Sequence, residues 1–413
     1  MIPPRAPLNP FTTPEARRLA VLFGVVYFAQ GMWYLPNQTI IIDLKERGLA
    51  AGHVAMFFAI TSIPWLLKPL YGLLSDSVPL AGSRRKSYLV LSSGLAALAG
   101  FTLAALPAHP YAALALLFTA MGLGLAFTDV LVDALMVENG QRHALTGAFQ
   151  SVQWAATYTA SILVGLIGGH LAATRNLRAA FALAAGFALV SLVMGLLFVR
   201  EPVAPPDRTA LAAIWVAMRQ TLGRRETWVV IGFIFFWTMS PSFGPALLYY
   251  QTDVLGLSQQ FIGVLTALGS GAAVVGAIVY APLSRRVPLR RLITIAIGLA
   301  VTGTLAYLLY RSAASAAVID VVFGGIGMIT QLAFLDLAAR ACPPRMEATF
   351  FALVMSVYNG GEQAAEVVGG YLYDGLGYTP LVLTSAAFTA LTWLLVPLVP
   401  IDEIAARAES RTA

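Results

Sequence analysis

The chain has 413 residues, 58% of them apolar and 11% charged, against roughly 45–50% and 25% in an average soluble domain. So few charges cannot coat a water-soluble surface, and the composition equally excludes a disordered or nucleic-acid-binding chain. The formal net charge of +6 is read as loop charge facing an anionic membrane surface.

About 20 apolar residues are needed per helical crossing, so the chain has room for about twelve crossings and little else. Residues 1–18 are polar and Pro-containing, too short for an organellar transit peptide and without a signal-type cleavage site; they read as a cytoplasmic N-terminal tail. Breaking the chain at Pro, Gly and charge clusters places apolar stretches at about 19–42, 52–75, 88–106, 110–137, 147–172, 179–199, 227–251, 258–283, 289–310, 313–341, 348–373 and 379–399. Residues 200–226, with Pro202, Pro205, Pro206 and a run of arginines, read as a cytoplasmic linker, partly helical over 211–222. It divides a six-helix half at 19–199 from a second at 227–399, and 400–413 form a second cytoplasmic tail. Most Lys and Arg fall on the side of the N-terminus, which predicts both termini in the cytoplasm.

An internal repeat supports two halves. Tyr71, Leu74, Ser75, Val78 and Pro79 recur in register as Tyr280, Leu283, Ser284, Val287 and Pro288; Gly124, Asp133, Arg142 and Thr146 recur as Gly327, Asp336, Arg345 and Thr349. The runs fall in the second and eighth, and in the fourth and tenth stretches. They imply parallel halves related by an axis along the membrane normal, an arrangement that suits a transporter. The expected fold is therefore an all-α membrane protein of about twelve transmembrane helices in two pseudo-symmetric six-helix halves.

The single cysteine, Cys342, permits no intramolecular disulfide and no Cys-based metal site. His53, His109, His143 and His170 sit near predicted helix ends and outside any H-E-x-x-H pattern; no metal or other cofactor is expected. The missing metal site, the absence of a G-x-S-x-G elbow and the lack of a soluble domain argue against an enzyme.

A charge inside a bilayer costs several kcal/mol even on lenient scales, so each needs a partner or a function. Lys68 lies about 12 Å inside Asp76 along a helix axis, and Asp129 and Asp133 lie roughly 14 and 8 Å inside the cytoplasmic end of the fourth helix. The matching depths predict a pairing between Lys68 and this acid pair, either for proton coupling or substrate binding, or as a static salt bridge. Asp133 and its repeat partner Asp336 suggest a structural or gating task with Arg142 and Arg345. Glu362 and Glu366, again at i,i+4, lie about 21–27 Å deep in the eleventh helix, with no basic partner on it. They read as proton-coupling or substrate-contacting acids, or as neutral acids bonded to a neighbouring helix. Glycines such as Gly165, Gly169, Gly324 and Gly325 are expected at close helix contacts, and Pro64 and Pro69 are expected to kink the second helix.

The run from Pro64-Trp65 through Lys68-Pro69 and Tyr71-Gly72 to Asp76-Ser77-Val78-Pro79, followed by Gly82, Arg84, Arg85 and Tyr88, resembles the signature of the folate–biopterin transporter family, a branch of the major facilitator superfamily. Tyr27 to Gly31, Asp129 to Ala134, and Cys342-Pro343-Pro344 with Glu347, Phe351 and Asn359 extend the resemblance over nearly the whole chain. The general superfamily loop motif is altered: Ser77 stands where a basic residue is usual, and Gly82 and Arg84-Arg85 come late. The resemblance implies secondary transport of folate or related pterins by alternating access. Proton coupling is expected because the cavity acids outnumber its bases. The partners are a small-molecule substrate, protons and the lipid bilayer, in a prokaryotic plasma (inner) membrane. Gly72, Asp76, Arg84 and Arg85 then read as a cytoplasmic gate latch. A flat pterin needs stacking faces and an amide or carboxylate for its N–H edge, which nominates Trp33, Asn37, Gln153, Trp154, Tyr358 and Asn359. The alternatives are a facilitator for another solute (S-adenosylmethionine, a peptidoglycan fragment or a sugar) or a non-transporting receptor.

Overall fold

The computed structural model describes residues 11–143, 145–202, 222–342 and 347–412, with positions 216 and 219 between them. Among these residues, nine helices are long and apolar enough to cross a membrane, and the chain is a multi-pass, all-helical membrane protein. Helix α1 (Pro14–Gly31) is capped by Thr13, whose hydroxyl accepts from the Ala16 amide over 3.1 Å, with Pro14 pre-set for the first turn. It therefore starts before the expected residue 19. A 3-10 turn at Met32–Tyr34 bends the span before α2 (Asn37–Glu46).

The second stretch is broken into α3 (Ala51–Thr61), α4 (Ile63–Leu66) and α5 (Lys68–Ser77), because Pro64 and Pro69 lack amide donors and clash with the preceding turn. The Tyr71 hydroxyl braces the break, donating to Pro64 O over 2.9 Å, a carbonyl that also accepts from the Leu67 amide. Helices α6 (Lys86–Ala105) and α7 (Tyr111–His143) follow, the latter outrunning its expected end at 137. Helix α8 (Thr146–Leu163) passes through a π turn into α9 (Gly169–Ala173), and α10 (Leu177–Phe198) comes next. The expected linker helix at 211–222 lies almost wholly outside the described residues.

Beyond it, α11 (Arg225–Thr238) and α12 (Gly244–Asp253) are separated by an irregular segment. Helices α13 (Gln259–Arg286), α14 (Leu289–Ala306), α15 (Ala313–Arg340), α16 (Glu347–Leu376) and α17 (Tyr378–Leu395) complete the bundle. The expected C-terminal tail is instead a further helix, α18 (Ile401–Thr412). Its Ile401 and Ile404 are fully buried, and Asp402 pairs with Arg290 over 2.9 Å, so burial of its apolar face holds it against the bundle.

Ion pairs and loop contacts sort the connections onto two faces. On the face carrying the chain termini, Arg18 reaches Phe198 O, Glu15 lies beside His143, and Arg407 pairs with Glu226. On the opposite, distal face, Arg47 reaches His109 O, Arg175 pairs with Glu46, and the Tyr378 hydroxyl donates to Tyr307 O. Buried cores follow the same geography. One gathers Phe23, Tyr27, Leu131 and Phe149, another Phe233, Ile293, Phe334 and Val354. A third, around Phe57, Phe118 and Phe181, also takes in Ala246, Tyr249 and Leu381. Residues before 202 and after 222 thus interlock through apolar packing at this third core.

Candidate functional site

Lys68 stands at the first turn of α5, just after the Pro64 break, and its ammonium meets Asp129 Oδ2 of α7 at 2.6 Å. Both side chains are only 15% exposed, and the ammonium also lies 4.6 Å from the Trp65 ring centroid. With the Gln30 amide nitrogen turned toward it, Asp129 Oδ1 accepts a second bond over 2.9 Å. Asp133, one turn on, takes a different role. It accepts from the hydroxyl of buried Tyr27 and, over 3.3 Å, from Gln153 Nε2, so its hydrogen bonds run to α1 and α8. The expected link from Asp133 to Arg142 does not form: Arg142 is exposed at the end of α7. Its repeat partner Asp336 pairs bidentately with Arg340 at 2.9 and 3.1 Å and accepts from Tyr280 over 3.3 Å. Both acids hold a tyrosine from a neighbouring helix. Arg345 lies outside the described residues.

Across the interior, Glu362 on α16 is solvent-accessible and Glu366 half-buried. Tyr34, 51% exposed although it sits where α1 gives way to α2, is within electrostatic reach of Glu362, Asp129 and Glu366. Asp129, Glu362 and Glu366 thus lie around Tyr34, and Leu66, at the break before Lys68, packs beside Gly360 of α16. Glu366 packs against Gly244 at the start of α12: a Cβ there would lie 2.9 Å from Glu366 Cγ, and Gly244 has φ +40°. The carboxylate thus sits by a helix N-terminus, a favourable place for negative charge. Tyr358 is buried, within electrostatic reach of Glu362, and Asn359 is half-buried on the same helix. Trp154 is 42% exposed and stacks on Tyr158, whose hydroxyl meets Met328 Sδ at 3.0 Å. Trp33 does not reach the interior space. It is 6% exposed and stacked 4.3 Å from Phe118 in the apolar core, because the 3-10 turn rotates Tyr34 toward the cavity in its place.

The charge cluster around Asp76 and Arg85 is paired in this conformation. Its guanidinium bridges Asp76 and Glu138 and donates to Ser75 Oγ over 2.6 Å, while Glu201 accepts from the Arg85 and Lys86 amides at 3.0 and 2.6 Å. Burial works against this guanidinium, but Glu138 and Asp76 outweigh it and hold its pKa above the ordinary value. All these partners precede residue 202, so the group ties α5, α6 and α7 together; in this conformation it does not clasp the two bundles. Arg84 Nε is buried and has no hydrogen-bond partner among the described residues, and Gly72 lies beside Val130 of α7.

Contacts between the bundles gather instead near the distal face. Asp374, at the end of α16, accepts from the Ala51 and Gly52 amides at 3.0 and 2.8 Å. These are first-turn donors of α3, whose N-cap Ala50 has no side chain to satisfy them. The Tyr249 hydroxyl donates to Leu49 O over 2.5 Å, Lys45 pairs with Asp253, and Gln38 reaches Gln259 at 2.9 Å. Gly165 and Gly169 meet Gly263 backbone to backbone, where a Cβ on Gly169 would lie 2.9 Å from Gly263 Cα. Sequence reasoning missed Asp374. The absence of a capping residue before α3 was the one signal that a remote acceptor was needed.

Below this seal lies a cavity of about 570 Å³, lined by Tyr34, Asn37, Gln38, Gln251, Tyr307 and Asp320 among others; small-molecule sites typically run ~300–1,000 Å³. Asn37 Oδ1 is buried there without a hydrogen-bond partner among the described residues. Asp320, in the second turn of α15, was not singled out by the sequence; as an intramembrane acid it carried the same signal as Glu362.

The sequence matches the BT1 family over residues 28–399. A protein named folate-biopterin transporter from Synechocystis sp. is 34% identical over 94% of this chain and 81% of its own length. Probable folate-biopterin transporter 4 of Arabidopsis thaliana is 26% identical over 86% of this chain and 88% of its own. In fold, the chain is similar to the nucleoside transporter NupG, with a TM-score of 0.71 at 12% identity over 94% of this chain and 98% of that one. A POT family transporter in complex with a thioalcohol conjugated peptide gives 0.73 at 15% identity, over 93% and 97%. The chain thus shares its fold with these two transporters.

Proposed function

Because the chain belongs to the BT1 family, a transporter family and not an enzyme family, we propose that it carries folate or a related pterin across a prokaryotic plasma membrane by alternating access, coupled to protons. In this reading the interrupted stretches at 51–77 and 225–253 and the acid-bearing α16 are crossings too. They bring the nine apolar helices to about twelve in two six-helix halves, with the termini cytoplasmic. The breaks that disqualify these helices as simple spans lie beside the buried charges, as discontinuous helices do in transporters generally.

One observation carries the proposal: Lys68 and Asp129 form a buried pair in one bundle, and α16, which bears Glu362 and Glu366, packs against the break beside Lys68, with Gly360 next to Leu66. A buried ion pair tolerates loss of one partner badly. When Asp129 takes up a proton, Lys68 needs another anion, and a carboxylate tail on the ligand supplies it. Release reverses the exchange: the proton leaves, Asp129 reclaims Lys68 and the ligand is displaced. Glu362 and Glu366 provide the opposing wall. With the distal face sealed by Asp374, Tyr249 and the Gly165–Gly263 contact, the present conformation faces the terminal side. Rocking the bundles exchanges the two openings.

The test is folate uptake into proteoliposomes under an imposed pH gradient. Uptake should rise with the gradient and be lost in Asp129→Asn and Glu362→Gln. Uptake indifferent to the gradient and unchanged in both variants refutes the coupling, and no uptake of any folate or pterin refutes the substrate class.

A further inference from the structure

The cavity under the distal seal holds a carboxylate outside the central acid groups. Asp320 accepts from the Tyr307 hydroxyl at 3.3 Å through Oδ1 and from the Tyr310 hydroxyl at 3.0 Å through Oδ2. Tyr310 is fully buried, and its oxygen is fixed in turn by Gln251 Nε2 at 2.6 Å, a side chain only 4% exposed. A relay from α12 through the Tyr307–Leu309 turn and its cap to α15 thus holds the carboxylate rigidly. An ionised carboxylate offers about four lone-pair directions. The two tyrosines use one on each oxygen, leaving one on each for a ligand. No basic side chain pairs with Asp320 among the described residues. Tyr34 and Gly244 both line this cavity, and Gly244 packs against Glu366, so the cavity adjoins the acid-bearing α16.

Resting on the reading above, we propose that this cavity is the subsite for the ring end of the ligand. There Asp320 accepts the paired N–H donors of an aminopyrimidinone edge, and Asn37 contributes a further polar contact. The chemistry is bidentate: an amino N–H and an adjacent ring N–H lie side by side and match two carboxylate oxygens, as a guanidinium does. The depths agree. Asp320 lies about 10 Å from the distal end of α15, and Asp129, which holds Lys68, about 27 Å from that of α7, on a rise of ~1.5 Å per residue. The two sites are therefore roughly 17 Å apart along the axis. An elongated ligand with a heteroaromatic ring at one end and a carboxylate at the other spans this interval, with Tyr34 beside its middle. The preformed relay explains why Asp320 and not a more mobile acid reads the ring: a specificity contact needs a locked acceptor.

The experiment uses the full chain in proteoliposomes and compares how well folate, and an analogue whose 2-amino group is replaced by methyl, inhibit uptake of labelled folate. A site built to bond an N–H strongly rejects an analogue lacking it, so the wild type should prefer folate at least tenfold. Asp320→Asn should cost folate tenfold or more and leave the analogue within about threefold, collapsing the preference. Tyr310→Phe should collapse it partly, and Asp320→Glu should restore part of it. Thr302→Ala, exposed on α14 and outside the cavity lining, should leave both uptake and the ratio intact. Preserved discrimination in Asp320→Asn overturns the assignment, as does its loss in Thr302→Ala. Equal potency of both compounds on the wild type overturns the ring-edge subsite while leaving folate transport standing. If neither compound inhibits and no folate enters, the substrate class itself is wrong and this subsite falls with it.

Discussion

Replacing Asp374 by Ala removes two hydrogen bonds that exist only while the distal face is closed. The carboxylate accepts from the Ala51 and Gly52 amides at 3.0 and 2.8 Å, at the start of a helix with no capping side chain of its own. Loss of an N-cap costs about 0.5–2 kcal/mol, and a charge at a helix N-terminus contributes another ~0.3–1 kcal/mol. Asp374 is exposed, so screening favours the low end, about 1–1.5 kcal/mol in all. At 1.4 kcal/mol per factor of ten, the distal-open conformation should gain about five- to twelvefold in population relative to the closed one. The assay is thiol accessibility: in a Cys342→Ser background, a cysteine at Ser161, which lines the cavity below the seal, is labelled by an impermeant maleimide from the distal side. Asp374→Ala should speed labelling about five- to twelvefold, and Asp374→Asn, which keeps a neutral acceptor, should fall between. Labelling within twofold of the parent, or slower, refutes the idea that this cap holds the gate.

Three further outcomes follow from the same geometry. Lys68→Met and Asp129→Leu should each destabilise the detergent-solubilised chain by about 3–5 kcal/mol, whereas the double variant should recover most of the loss; strict additivity of the melting shifts would deny the pair. Gly263→Val should insert normally but lose uptake, because its Cβ overlaps Gly165 O and Gly169, and the Ser161 cysteine should become reactive from the distal side. Trp33→Ala should cost about 3–5 kcal/mol of stability, since the ring packs on Phe118, while the variant that does fold keeps its folate affinity. A large loss of affinity in folded protein would return Trp33 to the ligand site.

Much of the architecture was legible because membrane burial leaves a coarse signal. Apolar runs, proline breaks and scarce charges each report directly on solvent, and the pairing of Lys68 with Asp129 follows from matched depth alone. Aromatics gave less. Trp33 and Tyr34 are neighbours with the same polar context, yet one is core and the other lines the cavity, a choice made by one 3-10 turn. Asp133 and Arg142 share an end of α7, but helix rotation and Tyr27 decide that they do not meet.

The amino-acid sequence by itself determined that this chain is a polytopic membrane protein with a few acids and one lysine inside, because the energy of placing charge in hydrocarbon depends on position along the chain. Only the tertiary structure decided which face is sealed and by whom. Asp374 caps α3 across more than three hundred residues, Gly165 and Gly169 lie against Gly263, and two tyrosines turn Asp320 into the cavity. Such contacts depend on the mutual placement of helices, and hydrogen bonding between remote segments leaves no periodicity in either one.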